Sequence, residues 1–129
     1  MNKKLLVSGS VLGLLSIALG AFASHGLEKV VTTDAIETFQ VGVRYQMYHA
    51  LFLLFVGGSS ILKTKSKKRI LVLTVIGVLL FSGSIYGLAT NELTGFDFKT
   101  IGFITPIGGL LLVLSWLIML IDFLKLKVE

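Results

Sequence analysis

Residues 70–91 read ILVLTVIGVLLFSGSIYGLATN and directly follow the basic segment KTKSKKR, residues 63–69. Residues 70–91 carry no charged side chain. This stretch is long enough to cross a bilayer as a helix, which takes roughly 20 apolar residues. Barrel strands would be about half as long and would alternate in polarity. The stretch therefore predicts a transmembrane helix that begins beside a strongly basic segment.

Three further uncharged runs, residues 5–23, 45–62 and 100–121, have similar lengths. Hydrophobic residues make up 54% of the 129-residue chain, charged residues make up 15%, and the mean hydropathy is +0.91. This composition lies outside the range of soluble domains. We predict an all-α integral membrane four-helix bundle, with residues 1–129 forming a single transmembrane domain. The expected spans are about residues 5–23, 43–62, 70–90 and 101–122.

The basic residues predict the orientation of these spans. Lys3 and Lys4 precede the first span, five basic residues lie in 63–69, and Lys125 and Lys127 follow the fourth span. Short cytoplasmic segments retain Lys and Arg, so we expect both termini of a multi-pass membrane protein in the cytoplasm. The basic cluster could also contact anionic lipid headgroups. It requires no nucleic acid, although the net charge is +5.

The first span also resembles a secretory signal peptide. It follows two lysines and ends in Ala21-Phe22-Ala23, a sequence similar to a cleavage site. Its apolar stretch is longer than the usual core of a signal peptide, about 7 to 15 residues. We therefore expect a retained span.

Small residues recur at helical spacing within the spans. Such positions let two helix backbones approach closely, either within one chain or between copies. We favour packing within the chain. The predicted packing glycines are Gly9, Gly13, Gly20, Gly83, Gly87, Gly108 and Gly109.

The second span is expected to belong to a longer helix. Asp34 followed by Glu37 has the form of an N-cap with a capping-box acid, so one helix could run from Asp34 to Leu62. Arg44 lies near its membrane entrance. The residue could extend to the interface and pair with Glu37, or it could bind an anionic headgroup or substrate.

Several segments resemble the DUF423 family of small bacterial membrane proteins. They are GAFASHGL (20–27), TF (38–39), RYQMYHAL (44–51), FSGSIY (81–86), ITPIGG (104–109) and Trp116. Family members usually show Gly-Ala-His-Gly where this chain has Ala-Ser-His-Gly, residues 23–26, a small-for-small change that keeps His25. The resemblance covers the chain in order and implies a small multi-span protein of the bacterial inner or plasma membrane. It implies no particular activity.

Most polar residues of the spans fall at one depth in the assigned topology, the outer half. Pro106 removes a hydrogen-bond donor and would leave the carbonyl near Gly102 in need of a partner. We predict a hydrogen-bonded polar cluster in this half, which either only stabilises the bundle or forms a binding site. We expect the inner half to be filled by Leu, Ile, Val and Phe. Its candidate members are His25, Arg44, Tyr45, Gln46, His49, Ser82, Ser84, Tyr86, Thr105 and Pro106.

Catalytic and metal-binding patterns are missing from the sequence. The chain has no cysteine, no G-x-S-x-G turn and no H-E-x-x-H motif. His25 and His49 could in principle ligate a haem, but no acidic or thiolate ligand is spaced to complete a metal site. We therefore expect neither catalytic activity, nor a metal, nor another cofactor.

Two classes of function remain open. The first is action by association, as an accessory or scaffold subunit of a larger membrane complex or as a homo-oligomer, with possible contact to a lipid or quinone. The alternative is a small oligomeric transporter or channel. Proton-coupled exporters of this size rely on a carboxylate within a span, and none of the four uncharged runs contains one. We therefore favour association.

Overall fold

A computed structural model of the protein describes residues 1–127. Three short 3-10 helices, Leu27–Lys29, Asn91–Leu93 and Phe98–Ile101, lie in the connections, and these 127 residues contain no strand. The predicted all-α architecture with four helices is confirmed. The helices are α1 (Asn2–His25), α2 (Thr33–Gly58), α3 (Thr64–Ala89) and α4 (Ile104–Leu124).

Three of the four helices are long and apolar enough to cross a membrane: α1 together with the following turn, α3 and α4. The helix α2 is as long as α3, with 26 residues each. Its middle, however, carries Arg44, Gln46 and His49, which make the sequence too polar to be identified as a span by composition. Whether α2 can serve as the fourth predicted span therefore depends on whether these polar groups find hydrogen-bond partners.

The start of α2 differs from the predicted one. The N-cap is Thr32, whose Oγ1 accepts a hydrogen bond from the backbone N–H of Ala35 at 3.1 Å. The prediction of an Asp34 cap was wrong because a threonine two residues earlier already satisfies a free N–H of the first turn. The helix also ends earlier than expected, at Gly58, since Ser59 adopts an extended conformation.

The helices are arranged with α2 between α1 and α3, while α4 packs chiefly on α3. The start of α1, the end of α4 and the α2–α3 connection lie at one end of the bundle, here called the terminal end. The other end, the loop end, carries the α1–α2 and α3–α4 connections. The interior helices α2 and α3 hold nine buried residues each, whereas α1 holds four and α4 three.

Two apolar clusters fill the interior. At the terminal end all four helices contribute, because residues of α1 and α4 pack against a buried group from α1, α2, α3 and the α2–α3 connection. At the loop end the cluster comes from α1, α2, α3 and the first connection. The terminal cluster is Leu5, Phe52, Leu53, Val56, Leu62 and Ile70, and the loop cluster is Ala23, Leu27, Phe39 and Ala89.

Candidate functional site

Gln46 is the central polar residue of the bundle. Its side chain is only 4% exposed. Its Nε2 donates to the carbonyl of Leu12 in α1 at 2.9 Å, and its Oε1 accepts from the hydroxyl of Tyr86 in α3 at 2.6 Å. A buried amide is costly in a membrane unless it is paired. One side chain of α2 therefore links the helices on both of its sides.

A second bond joins α2 to α3 one turn away. The hydroxyl of Ser82 donates to the carbonyl of Gly42 at 2.7 Å. A Cβ at Gly42 would lie 2.7 Å from the ring of Tyr86, so only glycine admits this ring. The absence of a side chain at residue 42 thus allows both the aromatic contact and the backbone bond.

His49 connects α2 to α4. Its Nε2 lies 3.1 Å from Nε1 of Trp116, and its Nδ1 lies 2.7 Å from the carbonyl oxygen of Tyr45. An indole N–H can only donate, so Nε2 is the acceptor. The proton of the neutral ring consequently sits on Nδ1 and is donated to the carbonyl. Both ring nitrogens are occupied within the chain.

The contact between α3 and α4 uses hydroxyl pairs. Ser84 Oγ and Thr105 Oγ1 lie 2.5 Å apart near the loop end. Thr74 Oγ1 donates to Ser115 Oγ at 3.0 Å, and this pair lies in the half toward the terminal end. The prediction of a purely aliphatic and aromatic inner half was therefore wrong. Both side chains are fully buried, and the Ser115 hydroxyl in turn donates to the carbonyl of Leu111 at 3.2 Å.

The terminal end also buries a charged residue. Lys67 is 5% exposed, and its Nζ donates to the side-chain oxygen of Asn2 at 2.9 Å and to the carbonyl of Ser59. The ammonium group thus joins the start of α1 to the end of α2. The amphipathic stem of lysine makes this possible at a helix end, where the charge lies close to the interface.

Four of the ten predicted cluster residues do not take part through their side chains. His25 and Arg44 are exposed, and Tyr45 contributes its carbonyl while its ring packs on Phe81 with centroids 5.1 Å apart. The prediction placed these residues by depth along the helix. Direction around the axis of α2 turns Arg44 away from Gln46 and His49, because successive residues differ by about 100°. His25 is separated by depth, since it ends α1, 13 residues after the Leu12 whose carbonyl Gln46 contacts.

Pro106 is the fourth such residue, and the expected carbonyl defect does not arise. The helix α4 begins at Ile104, so the proline lies in its first turn. Backbone N–H groups in that turn have no partner within the helix, and a proline there costs no hydrogen bond. The prediction that Gly102 would need a new partner was wrong for this reason.

Most of the predicted packing glycines face a neighbouring helix or segment. A Cβ at Gly9 would lie 2.8 Å from the carbonyl oxygen of Ala50, and one at Gly108 would overlap the backbone of Leu80 and Phe81. Gly13 and Gly20 face α2, Gly87 faces the ring of Phe98, and Gly109 faces that of Phe81. Gly83 is the exception, since open space surrounds it. Gly57, which belongs to the small-residue run 57–60, also faces α1, whereas the close contacts of Gly42 with α3 and of Gly77 with α4 were not predicted.

A groove of about 470 Å³ lies beside the His49–Trp116 bond and opens to the outside of the bundle between α2 and α4. Its wall is aromatic and aliphatic, with the imidazole as the polar element. The partnered ring leaves no free nitrogen lone pair for a metal, and residues 1–127 hold no group of three or more potential metal ligands. The lining residues are Tyr45, His49, Phe81, Gly109, Leu112, Val113 and Trp116.

The fold and the paired polar side chains define a small multi-span helical membrane protein. The chain belongs to the DUF423 family, since the family described as "Protein of unknown function (DUF423)" matches residues 19–109. The predicted family is thereby confirmed.

Relatives match over most of their length. The chain is 37% identical over 117 residues to a UPF0382 membrane protein of Haemophilus influenzae, covering 91% of this chain and 90% of the relative. It is 33% identical to YwdK of Bacillus subtilis, covering 95% and 98%. It is 32% identical to the UPF0382 inner membrane protein YgdD of Escherichia coli, covering 98% and 93%. No solved structure matches.

Proposed function

We propose that this protein acts by association in the membrane, as an accessory or scaffold subunit, and that it catalyses no reaction. The arrangement of the helices carries the proposal. Because α1 and α4 each pack chiefly on one neighbour, both present long apolar faces outward. Such faces are available to a second membrane helix.

The state of the polar groups supports the same function. The functional groups of Gln46 and His49 are already bonded within the chain, as are the hydroxyls of Ser82 and Ser84. A transport path or a catalytic site would need polar groups that are free to exchange partners with a substrate. These side chains instead fix the relative positions of the helices.

The aromatic groove between α2 and α4 is the proposed contact. It combines Gly109, where a helix can approach closely, with the ring of Trp116, which is 46% exposed. Small residues are typical of contacts between membrane helices. Exposed aromatic side chains such as tryptophan are typical of protein interfaces. A transmembrane helix of another protein or of a second copy would cover this groove.

Photo-crosslinking in living cells tests the proposal. A benzophenone amino acid at Val113, in the groove, is expected to give one discrete protein adduct, which is lost in the Trp116→Ala variant. The same group at Leu79, an exposed position of α3 outside the groove, serves as the control. An adduct of about twice the 14.0 kDa chain mass would indicate a homo-oligomer. Lipid adducts alone, together with solute flux in liposomes, would contradict association and favour a transporter.

We further propose that the protein lies in the plasma membrane, or the inner membrane where there are two, with the terminal end in the cytoplasm. The basic residues at that end support this orientation. The cysteine-free chain allows a direct test with single cysteines at the exposed residues Thr64 and Thr94. An impermeant maleimide should label Thr94→Cys in intact cells and Thr64→Cys only after lysis. The reverse result would invert the topology.

A further inference from the structure

Two apolar grooves flank α3 at the terminal end. One lies between α1 and α3 and has a volume of about 720 Å³, and the other lies between α3 and α4 with about 560 Å³. Val72 lines both, so the grooves are neighbours on one face of the bundle. The apolar part of their walls is formed by Val7, Leu71, Val72, Leu73, Val75, Ile76 and Ile118.

The rim of each groove is positively charged. Lys3 and Lys4 line the first groove, and Lys65, Lys68 and Arg69 line the second. All five side chains are exposed. Within residues 1–127, Lys67 is the one lysine at this end whose side chain is hydrogen-bonded to the protein, so the basic segment divides into a structural lysine and outward-facing cations.

Negative charge is scarce in the same region. Neither groove is lined by a carboxylate. Asp122 is the one acidic residue at this end within residues 1–127, and its Oδ2 accepts a hydrogen bond from the backbone N–H of Lys63 at 3.4 Å. The five cations therefore have no matching anion lining the grooves.

The length of α3 from the rim of the grooves to the end of their walls matches the thickness of one leaflet of a bilayer. Between Lys65 at the rim and Ile76 in the wall, α3 rises about 16 Å. Half of the hydrocarbon core measures about 15 Å. A lipid whose phosphate lies at the level of the cations can therefore place its acyl chains along α3 as far as the bilayer midplane.

We propose that the two grooves form a binding site for an anionic phospholipid. The lysines and the arginine hold the phosphate, and the acyl chains lie on either side of Val72. The site does not rest on the proposed association, because it uses another face of α4 than the Trp116 groove. It also gives the basic segment a role beyond setting the topology.

Native mass spectrometry of the detergent-solubilised protein tests the site. The probes are a phosphatidylglycerol and a phosphatidylcholine with identical acyl chains. We expect the phosphatidylglycerol adduct to be favoured by roughly tenfold or more, since two or more cations act on one phosphate. Lys65→Gln with Lys68→Gln should remove most of this preference. The matched control is Lys29→Gln with Lys99→Gln, which removes the same charge at the loop end.

A second variant separates the groove from simple charge attraction. Val72→Trp places a bulky side chain at the residue that both grooves share and leaves the charge unchanged. Leu79→Trp adds the same side chain at an exposed position of the same helix. We expect Val72→Trp to weaken phosphatidylglycerol binding several-fold and Leu79→Trp to leave it unchanged. Equal binding of both lipids, unchanged binding in the Lys65/Lys68 variant, or unchanged binding in Val72→Trp would each overturn the proposal.

Discussion

The helices α2 and α4 differ both in the polarity of their sequences and in the number of residues that they bury. The middle of α2 is polar, yet this helix buries nine residues, whereas α4 is strongly apolar and buries three. In water the more apolar helix would lie inside. In a bilayer the lipid accepts apolar side chains, and the helix that carries hydrogen-bonding groups gains from neighbours. The comparison indicates that polarity directs burial in this protein.

The largest expected effect concerns the closest approach of α4 to α3. Gly108→Ala places a Cβ against the backbone of Leu80 and Phe81, which cannot move aside as a flexible side chain could. We expect a loss of about 1–3 kcal/mol in the free energy of unfolding, the usual range for overpacking. Unfolding of the purified protein by SDS in mixed micelles measures it.

Gly83→Ala is the matched control, because nothing lies within 4 Å of a Cβ at this position. The added methyl group should leave stability unchanged or raise it by up to about 1 kcal/mol through helix propensity. Equal destabilisation by the two alanines would show that α4 is not held by a close backbone contact.

The next effect tests the burial of α2. Gln46→Leu removes the bonds to Leu12 and Tyr86 and leaves a hydroxyl without its partner. We expect a loss of about 1–2 kcal/mol in mixed micelles. A double-mutant cycle with Tyr86→Phe should give a coupling of roughly 0.6 kcal/mol, the average for membrane helices. Additive effects would contradict the bond between these two residues.

A smaller loss of stability is expected when the hydrogen bond between α2 and α4 is removed. Trp116→Phe keeps an aromatic ring against Phe52, whose centroid lies 4.3 Å away, but removes the donor to His49. The expected loss is about 0.6 kcal/mol. Nitrogen NMR of the imidazole should show an accepting Nε2 in the parent protein and a changed Nε2 shift in the variant. An identical shift in both proteins would mean that the indole is not the donor.

The smallest loss of stability is expected for the hydroxyl pair between α3 and α4. Ser115→Ala removes the bond that Ser115 accepts from Thr74 and the bond that it donates to the carbonyl of Leu111. The Thr74 hydroxyl can then donate to a carbonyl one turn earlier in its own helix. We expect a loss of roughly 0.5 kcal/mol or less. Val113→Ala, at an exposed position of α4, is a control for side-chain truncation. A loss as large as that of Gln46→Leu would remove the contrast between α2 and α4.

The four helices could be predicted because long uncharged runs have few other structures in a membrane. Depth along the helices was also predictable for Gln46, Ser82 and Tyr86, which lie at related levels, but it was wrong for His25 at the end of α1. Direction around the axis was not predictable, so Arg44 entered the predicted cluster although its side chain points outward. The partners Leu12 and Trp116 depend on which helices are neighbours, and no local sequence pattern specifies that.

The buried contact of Lys67 with Asn2 has a consequence for biosynthesis and for laboratory handling. The first helix to be synthesised obtains its terminal anchor only after the chain has been made as far as the third helix. A tag fused before Asn2 would crowd this contact, whereas a tag after residue 127 would lie beyond the end of α4. Expression and purification are therefore best carried out with the affinity tag at the carboxyl terminus.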